Sequence, residues 1–514
     1  MRSLDRWLLF LAGLLLFGLV FLLEPAPGYM DADYYALNGV RIANGSWDEP
    51  FLWHYLDDPA GVPHPAFSYW MPLPAWIASL GMALTPFLGD AAARLPFALL
   101  SACLPLLTAS LGYALTRRRL DALLAGGLAL LPGFYLPFLP TSDSFVLLML
   151  FGGLLFLLVA QKPVEGIRPA FQAALLGMLA GLFYLTRAEG LLWLAVVAFL
   201  LWHVRSVRGA SASVWLFLGV GFSLTTLPWM ARNYAVFGTP FSPVGLKPLW
   251  LTSYDELYIY PAALLTPARW LASGWKSILQ ARLWAAGQNL QTALAVQGEI
   301  FLFPLVVAGA WRLRRSRVVQ AGVGAWGLLF LVMTLAFPFA GARGGFFHAG
   351  AALQPLWWAL APGGLRVFVS WGERWRGWRP VEAQRVFAFG VLALAALLTG
   401  VLFSQRLLGG AWGSSEAHYR RIEARLEAAG APPGAVVMVN NPPGYALVSG
   451  RFTIAVPYGD ADVLREVAIR YRARYLVLES NYRGGPLDAL YHSPPDFLRL
   501  LFTFDDTRVF AILP

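Results

Sequence analysis

Carboxylates are concentrated in the segment from residue 24 to residue 69, which holds seven of the 29 acidic residues and a single base, Arg41. Asp31 and Asp33 stand apart because they closely follow an apolar run and are flanked by aromatic residues. Such carboxylates can accept a proton from a hydroxyl group or hold a divalent cation such as Mg²⁺ or Mn²⁺. We therefore predict Asp31 and Asp33 as catalytic residues and candidate metal ligands. An exposed loop explains the later acids equally well, namely Asp48, Glu49, Asp57 and Asp58.

Three arginines and a histidine form the second group of candidates. Arg187, Arg232 and Arg343 each stand near the end of an apolar run, and His348 follows Arg343 by five residues. A guanidinium can hold a phosphate through two parallel hydrogen bonds, so these residues are candidates for binding a phosphate or diphosphate. The alternative is structural, since Arg187 can pair with Glu189 and His348 can simply be hydrogen-bonded.

Aromatic side chains surround the carboxylates in the sequence. Tyr34 and Tyr35 follow Asp33 directly and are candidates for a supporting or acceptor-side role. Aromatic faces suit both the lipid–water interface and the apolar face of a sugar ring, so both explanations stay open. Further aromatic residues follow: Trp47, Phe51, Trp53, Tyr55, Phe67, Tyr69 and Trp70.

The composition shows where these groups must act. Of the 514 residues, 58% are hydrophobic and only 13% are charged, about half the charged share of an ordinary soluble domain. This excludes a water-soluble enzyme. Because Cys103 is the single cysteine, neither a disulfide framework nor a thiolate metal site can form. The net charge of +10 belongs largely to membrane-flanking loops, so nucleic acid is not a predicted partner.

Apolar runs long enough to cross a bilayer, which takes about 20 helical residues, recur from Trp7 to Phe403. We expect residues 1–403 to form a bundle of about eleven spans. The run 70–88, broken by three prolines, is expected to lie along the surface or to re-enter. The expected spans cover residues 7–23, 93–115, 121–138, 144–160, 170–186, 190–204, 213–230, 297–311, 318–338, 346–362 and 386–403.

Basic residues occupy every second loop, which predicts the orientation. Lys and Arg favour cytoplasmic loops, and the alternate short loops hold only Arg187 and Arg343. We expect a multi-pass plasma-membrane protein with a cytoplasmic N-terminus and with 24–69, 232–296 and 404–514 outside. The basic residues on the cytoplasmic side are Arg2, Arg6, Arg117, Arg118, Arg119, Lys162, Arg168, Arg205, Arg208, Arg312, Arg314, Arg315, Arg317, Arg366, Arg374, Arg376, Arg379 and Arg385.

The tail after Phe403 predicts a small soluble α/β domain over residues 404–514, within the usual size range of a domain. The segment Asn440–Gly444 is interpreted as a turn rather than a site. Hydrophobic periodicity predicts helices at 415–430 and 462–472 and strands at 435–439, 452–456, 475–479 and 508–513.

Short motifs in the membrane half make the sequence resemble the GT-C fold glycosyltransferases, the group that includes protein O-mannosyltransferases and the aminoarabinose transferase of lipid A. The motifs occur in the order expected of that group. They are Asp31–Tyr35, Arg41–Gly45, His64–Pro65, Met71–Pro74, Ala93–Pro96, Leu185–Gly190, Pro228–Tyr234 and Phe237–Gly238.

This resemblance implies a helical bundle with a long first outer loop and a donor sugar carried on a polyprenyl phosphate. It places Asp31 at the position of the first, catalytic acidic residue of the family. His64 becomes a candidate on the acceptor side. The sequence departs from the family at Ala32, where many relatives have Glu, so Asp33 is the candidate for the second carboxylate. Members of the family differ in their need for a divalent cation, which leaves the metal open.

The leading hypothesis is an inverting transfer of a hexosyl or pentosyl group to a protein, lipid or envelope glycan on the outer face of the membrane. Asp31 would take the acceptor proton with support from Asp33, and the three arginines would stabilise the departing phosphate. A transporter or flippase for a phosphate-bearing lipid is an alternative, although the centres of the spans hold few ionisable residues. A non-catalytic membrane scaffold is the third and leaves the acidic first loop unexplained.

Overall fold

The structure is a computed structural model that describes residues 2–160, 169–203 and 212–513. Most of the described chain is helical, with strands in the first outer segment and in the C-terminal region. Four of the basic residues used to predict the orientation lie outside the described residues, namely Lys162, Arg168, Arg205 and Arg208.

The α-helices are numbered in chain order. In the membrane half they are α1 Ser3–Leu23, α2 Met30–Ala43, α3 Leu73–Leu84, α4 Leu95–Ser101, α5 Leu104–Thr116, α6 Arg119–Leu130, α7 Phe145–Ala160, α8 Pro169–Thr186, α9 Leu191–His203, α10 Ala212–Phe237, α11 Pro267–Ala272, α12 Trp275–Thr292, α13 Phe303–Arg312, α14 Arg317–Leu331, α15 Pro338–Ala340, α16 Phe346–Ala351, α17 Gln354–Arg376 and α18 Pro380–Phe403. The C-terminal helices are α19 Ser414–Ala428, α20 Pro442–Ser449 and α21 Ala461–Tyr471.

Six helical segments in the described chain are long and apolar enough to cross a membrane. Five other expected spans correspond to shorter or interrupted helices, of which α7 and α9 are examples. The run 70–88 forms α3, whose 12 residues extend about 18 Å, less than the thickness of a hydrocarbon core. The six segments are Ser3–Leu23, Ala91–Thr116, Pro169–Thr186, Ala212–Phe237, Arg317–Ala336 and Pro380–Leu408.

Small residues allow α8 and α10 to pack backbone against backbone. A Cβ atom on Gly221 would lie 2.0 Å from the carbonyl oxygen of Ala174, and one on Gly177 would lie 2.2 Å from that of Leu218. Such close approach is typical of helix pairs in membranes. The pair matters for the site because Arg187 directly follows α8 and Arg232 lies in the last turns of α10.

One acid inside the bundle was not anticipated from the sequence. Glu299 lies between α12 and α13, is fully buried, and accepts a hydrogen bond of 2.6 Å from the indole Nε1 of Trp358. Its second oxygen, Oε2, has no hydrogen-bond partner in the described chain. The expectation that few ionisable residues lie within the spans therefore has an exception beside α17.

A six-stranded sheet joins the C-terminal region to the first outer segment. Its order is β2-β5-β4-β6-β8-β7, in which β2, β5, β4 and β6 are parallel, β8 is antiparallel to β6, and β7 is antiparallel to β8. The strands are β2 Phe51–Leu52, β4 Val436–Val439, β5 Thr453–Ala455, β6 Ala473–Leu478, β7 Leu498–Phe504 and β8 Thr507–Ile512; β1 Asp48–Glu49 and β3 His64–Pro65 form a separate antiparallel pair.

The predicted elements of the tail are present, but two elements were missed and one interpretation was wrong. Periodicity did not predict β7 or α20. The segment interpreted as a turn instead begins α20, because Asn441 caps the helix through a hydrogen bond from the Gly444 amide and proline is well suited to the first helical turn.

Direct contacts hold the start of α2 against the C-terminal region. The Trp412 indole Nε1 donates to the Ala26 carbonyl at 3.1 Å, and the Gly28 amide donates to Glu416 at 2.7 Å. Gly28 has φ of 97°, and a Cβ atom there would lie 2.4 Å from the Trp412 ring. The chain therefore enters α2 in a fixed direction, and this direction orients the acids in its first turn.

Candidate active site

Asp31, Asp143 and His348 form a cluster at one end of the helical bundle. His348 Nε2 lies 2.9 Å from Asp143 Oδ2 and 3.7 Å from Asp31 Oδ2. Each side chain offers an atom that can bind a metal, and these three atoms lie within 4.8 Å of one another. Asp143 and His348 are buried, whereas a quarter of the Asp31 side chain is exposed. Asp31 is therefore the member of the cluster that a substrate can reach.

Three separate elements bring this cluster together. Asp31 lies in the first turn of α2, Asp143 lies in the polar turn before α7, and His348 lies in α16. The polar turn is fastened to the start of α2, because the Thr141 hydroxyl donates to Pro27 O at 3.0 Å and the Ser142 hydroxyl donates to Ala32 O at 2.8 Å. These bonds fix the separation of the two carboxylates.

The ring of His348 is held in one orientation with a defined proton position. Its Nδ1 lies 3.0 Å from the Gly344 carbonyl oxygen, and its face stacks on Phe145 with ring centroids 4.1 Å apart. Because a carbonyl oxygen can only accept, Nδ1 must carry the hydrogen. The other nitrogen, Nε2, faces the carboxylates of Asp31 and Asp143.

Asp143 was not singled out from the sequence. Burial opposes its ionisation, but contacts with His348, the Tyr29 hydroxyl and the Ser144 amide outweigh that effect and hold the pKa of Asp143 below its ordinary value. The Tyr29 hydroxyl donates to Asp143 Oδ2 at 2.5 Å. Asp143 is therefore a buried carboxylate that stays charged and anchors His348.

Asp31 differs from Asp143 in its electrostatic surroundings. Burial raises the pKa of the Asp31 carboxyl to about 6, although His348 and Arg187 oppose the shift and Asp143 adds to it. A carboxyl with a pKa close to the working pH combines a useful ionised fraction with good basicity. The site therefore suits Asp31 for accepting a proton near neutral pH.

The prediction that Asp33 shares a site with Asp31 was wrong in its geometry. Both acids lie in the first turn of α2, and residues two apart on a helix point in different directions. Asp33 is fully buried and accepts a hydrogen bond of 2.9 Å from the Asn441 amide. Burial and the neighbouring Glu416 raise the pKa of Asp33 well above its ordinary value. Asp33 thus joins α2 to the C-terminal region and is not part of the cluster of Asp31, Asp143 and His348.

Arg187 and Tyr35 lie within electrostatic range of Asp31 and have unused hydrogen-bond donors. The Arg187 Nε donates to Glu189, the partner anticipated from the sequence. Arg187 also interacts electrostatically with Asp31 and with Tyr35. Arg187 Nη1 and the Tyr35 hydroxyl are buried and have no hydrogen-bond partner in the described chain. A buried guanidinium N–H and a buried hydroxyl, both without partners, form a suitable place for an anion.

Arg343 lies at the edge of this region. Its guanidinium lies 5.2 Å from the centre of the Tyr254 ring, and Tyr254 in turn interacts electrostatically with Asp31. The Arg343 side chain is exposed and has no ion-pair partner within the described ranges. Gly344, with φ of 134°, turns the chain between Arg343 and α16. This turn directs Arg343 to solvent and His348 to the interior.

Arg232 and His64 belong to a second polar cluster. His64 Nε2 lies 3.2 Å from Glu49 Oε2, the Tyr34 hydroxyl donates to Glu49, and the Asn38 amide donates to it at 3.3 Å. Arg232 stacks over Trp229 and has Glu49 as a charged neighbour. The structure therefore places Tyr34, His64 and Arg232 around Glu49, not around Asp31.

Comparison with known proteins shows the fold. No protein-family profile and no curated sequence matches the chain. The archaeal oligosaccharyltransferase AglB from Archaeoglobus fulgidus, solved with an inhibitory peptide and a dolichol-phosphate, matches with a TM-score of 0.58 and 14% identity, covering 92% of this chain and 70% of AglB. ArnT from Cupriavidus metallidurans, bound to undecaprenyl phosphate, matches with a TM-score of 0.57 and 14% identity, covering 99% of this chain and 98% of ArnT. The chain thus has the GT-C fold that the motifs implied.

A third similar structure contains ions. The same archaeal oligosaccharyltransferase, in complex with Zn and sulfate, matches with a TM-score of 0.56 and 14% identity, covering 92% of this chain and 68% of that chain. At these identities the likeness concerns the fold. The functional assignment must therefore come from the residues of this chain.

Proposed function

We propose that the chain transfers a sugar from a polyprenyl-phosphate donor to an acceptor hydroxyl or amine. One observation carries the proposal: a reachable carboxylate, Asp31, lies beside a basic residue, Arg187, that has an unused buried donor. Sugar transfer from a phosphate carrier needs both groups at one place, a base for the acceptor and a cation for the leaving phosphate.

The proposed step assigns one role to each group. The acceptor oxygen or nitrogen attacks the anomeric carbon, and its proton passes to Asp31. The bond between the anomeric carbon and the phosphate oxygen breaks with inversion, and the electron pair stays on the polyprenyl phosphate. Arg187 and the Tyr35 hydroxyl stabilise the departing phosphate through donors that have no other use in the described chain. Asp143 holds His348 and thereby keeps the surroundings of Asp31 fixed.

The lipid carrier is inferred from the architecture and from the two similar structures. AglB was solved with a dolichol-phosphate and ArnT with undecaprenyl phosphate, and both share the fold of this chain. A donor with a polyprenyl tail can remain in the bilayer while its phosphate reaches the end of the bundle. By the arginine distribution, this end is the outer one, and the N-terminus lies in the cytoplasm of a plasma-membrane protein.

Asp31, Asp143 and His348 fit a divalent cation. Nε2 of His348 carries a lone pair whenever the imidazole is neutral, because Nδ1 donates to Gly344. Two carboxylates and one imidazole suit Mn²⁺ or Zn²⁺ better than Mg²⁺, which prefers oxygen ligands alone. When bound, such a cation would supply additional positive charge near the leaving phosphate.

Binding of Mn²⁺ is expected to depend on His348 and not on Asp33. Replacing His348 by Gln removes one of three ligands, so the affinity of the purified chain for Mn²⁺, measured by electron paramagnetic resonance, should fall by at least the roughly 10- to 100-fold that loss of a ligand's hydrogen-bond partner costs. The matched control is Asp33→Asn, which changes an acid two residues from Asp31 but outside the cluster. Equal Mn²⁺ affinity in the His348 variant and the unmodified chain would rule out this ligand set.

The function itself is tested by turnover. Purified chain in liposomes is supplied with undecaprenyl-phosphate sugars that differ in the sugar, and with envelope extracts as the source of acceptor. We expect release of undecaprenyl phosphate with at least one hexose or pentose donor, together with transfer of label to the extract. A flippase would move the labelled donor across the bilayer without cleaving it. Transbilayer movement without release of the carrier would therefore contradict sugar transfer.

A further inference from the structure

A basic cavity lies at the end of the bundle opposite Asp31. It has a volume of about 560 Å³ and lies between α6, α13, α17 and α18. The part of α17 that lines the cavity extends from Arg366 to Glu373. Arg366 comes twelve residues after Gln354, the first residue of α17 and the end of this helix nearer to His348 in the chain. The lining therefore lies roughly 18 to 28 Å along the helix from that end. The charged lining residues are Arg118, Arg119, Arg312, Arg366, Glu373 and Arg385.

The positive charge around the cavity is only partly compensated. Arg119 pairs with Asp5, and Arg366 pairs with Asp121. The other three arginines, Arg118, Arg312 and Arg385, have no acidic or hydrogen-bonded partner for their guanidinium groups in the described part of the chain. An anion in the cavity would relieve their mutual repulsion.

Two buried donors without partners distinguish this cavity from an ordinary basic loop at a membrane surface. The Gln384 side chain is 9% exposed, and its Nε2 has no hydrogen-bond partner among the described residues. The same is true of Nε of Arg366, which is buried beside it in the lining. The positive-inside rule explains arginines at a helix end, but it does not explain a buried amide without a partner.

Apart from Ser370 and Glu373, the rest of the lining is apolar. Leu120, Leu123, Val369 and Val381 line the cavity together with the arginines. A ligand with an anionic head and an aliphatic body matches both kinds of surface. The arginine distribution predicts that this end of the bundle is cytoplasmic, where anionic lipids attract basic residues.

We propose that this cavity binds the phosphate headgroup of an anionic membrane lipid. The headgroup phosphate accepts hydrogen bonds from Gln384 and Arg366 and is balanced by Arg118, Arg312 and Arg385. The first part of an acyl chain lies along the aliphatic residues of α6 and α18. The site is separate from the proposed transfer centre and does not depend on the sugar-transfer assignment.

Native mass spectrometry of the purified full chain titrated with phosphatidylglycerol tests this site. Phosphatidylglycerol is expected to bind more tightly than the zwitterionic phosphatidylcholine. The double variant Arg312→Gln/Arg385→Gln should weaken phosphatidylglycerol binding by roughly 30-fold, since each basic residue near a membrane surface contributes about one kcal/mol. Gln384→Leu keeps every charge and removes the buried donor, so a smaller loss of about fivefold is expected.

The matched control is the double variant Arg374→Gln/Arg376→Gln. It removes the same charge from the last turn of α17, but neither residue lines the cavity. All replaced arginines are exposed and unpaired within the described ranges, so the fold should be kept, which thermal unfolding checks. Equal losses in the two double variants would overturn the site, and so would equal affinity for the two lipids. Competition by millimolar sodium phosphate without any lipid preference would assign the cavity to a soluble anion and would also overturn the proposal.

Discussion

Replacing Asp31 by Asn is expected to lower the rate of sugar transfer by about 10²- to 10⁴-fold, the usual cost of removing a positioned general base. The substitution keeps the size of the side chain but removes its basicity and its negative charge. Because a quarter of Asp31 is exposed and its contact with His348 is a long one of 3.7 Å, the fold should tolerate the change. The measurement is kcat for release of undecaprenyl phosphate, at matched protein quality in liposomes.

Asp33→Asn is the control for this prediction. Burial and Glu416 raise the pKa of Asp33 well above its ordinary value, which favours the neutral carboxyl. An Asn side chain can accept the hydrogen bond from Asn441 and can donate to Glu416, and it therefore mimics the protonated acid. Transfer by this variant should stay close to normal. Loss of activity in Asp33→Asn, with normal turnover in Asp31→Asn, would contradict the role of Asp31 and identify Asp33 as the general base.

Arg187→Lys is expected to lower kcat/KM for the donor by about 10²-fold, comparable to the loss of one donor to a developing oxyanion. The Arg187 guanidinium binds Glu189 through Nε and leaves Nη1 available for a ligand. A lysine ammonium keeps the charge but cannot reproduce this planar arrangement. The loss should appear both in kcat and in the affinity for undecaprenyl phosphate itself.

Arg232→Lys is the matched control for the phosphate-binding role. Arg232 also lies near a helix end, but its charged neighbour is Glu49. We therefore expect little change in donor affinity for this variant. A large loss with Arg232→Lys and a small one with Arg187→Lys would exchange the roles of the two residues.

The first acidic residue and the histidine of the site could be found from the sequence, but their grouping could not. The sequence alone predicts no helix over Asp31 and Asp33, whereas α2 begins at Met30. The helix therefore includes both Asp31 and Asp33 and turns them in different directions. Asp143 stands alone in a polar turn between apolar runs, and its approach to His348 depends on the packing of elements 205 residues apart in sequence. The one available signal was the run of four polar residues from Thr141 to Ser144 at the end of a span.

Composition and periodicity predicted the membrane bundle and most of the C-terminal elements correctly. They could not predict that the sheet continues into the first outer segment, because β2 contains only two residues and is defined by its partner β5. Pro442 and Pro443 indicated a turn, although proline also suits the first turn of a helix. Because α7 and α9 are apolar but shorter than the six long segments, hydropathy predicts the helical bundle better than it predicts the number of its spans.

The account is tested most directly by cryo-electron microscopy of the purified chain with undecaprenyl phosphate. It predicts a phosphate that accepts hydrogen bonds from Arg187 and Tyr35, lies beside Asp31, and continues into a tail on the lipid-facing surface of the bundle. The Arg187→Lys variant should lose this density under the same conditions. A phosphate bound near Glu49 and Arg232, with no density near Asp31 and Arg187, would contradict the account.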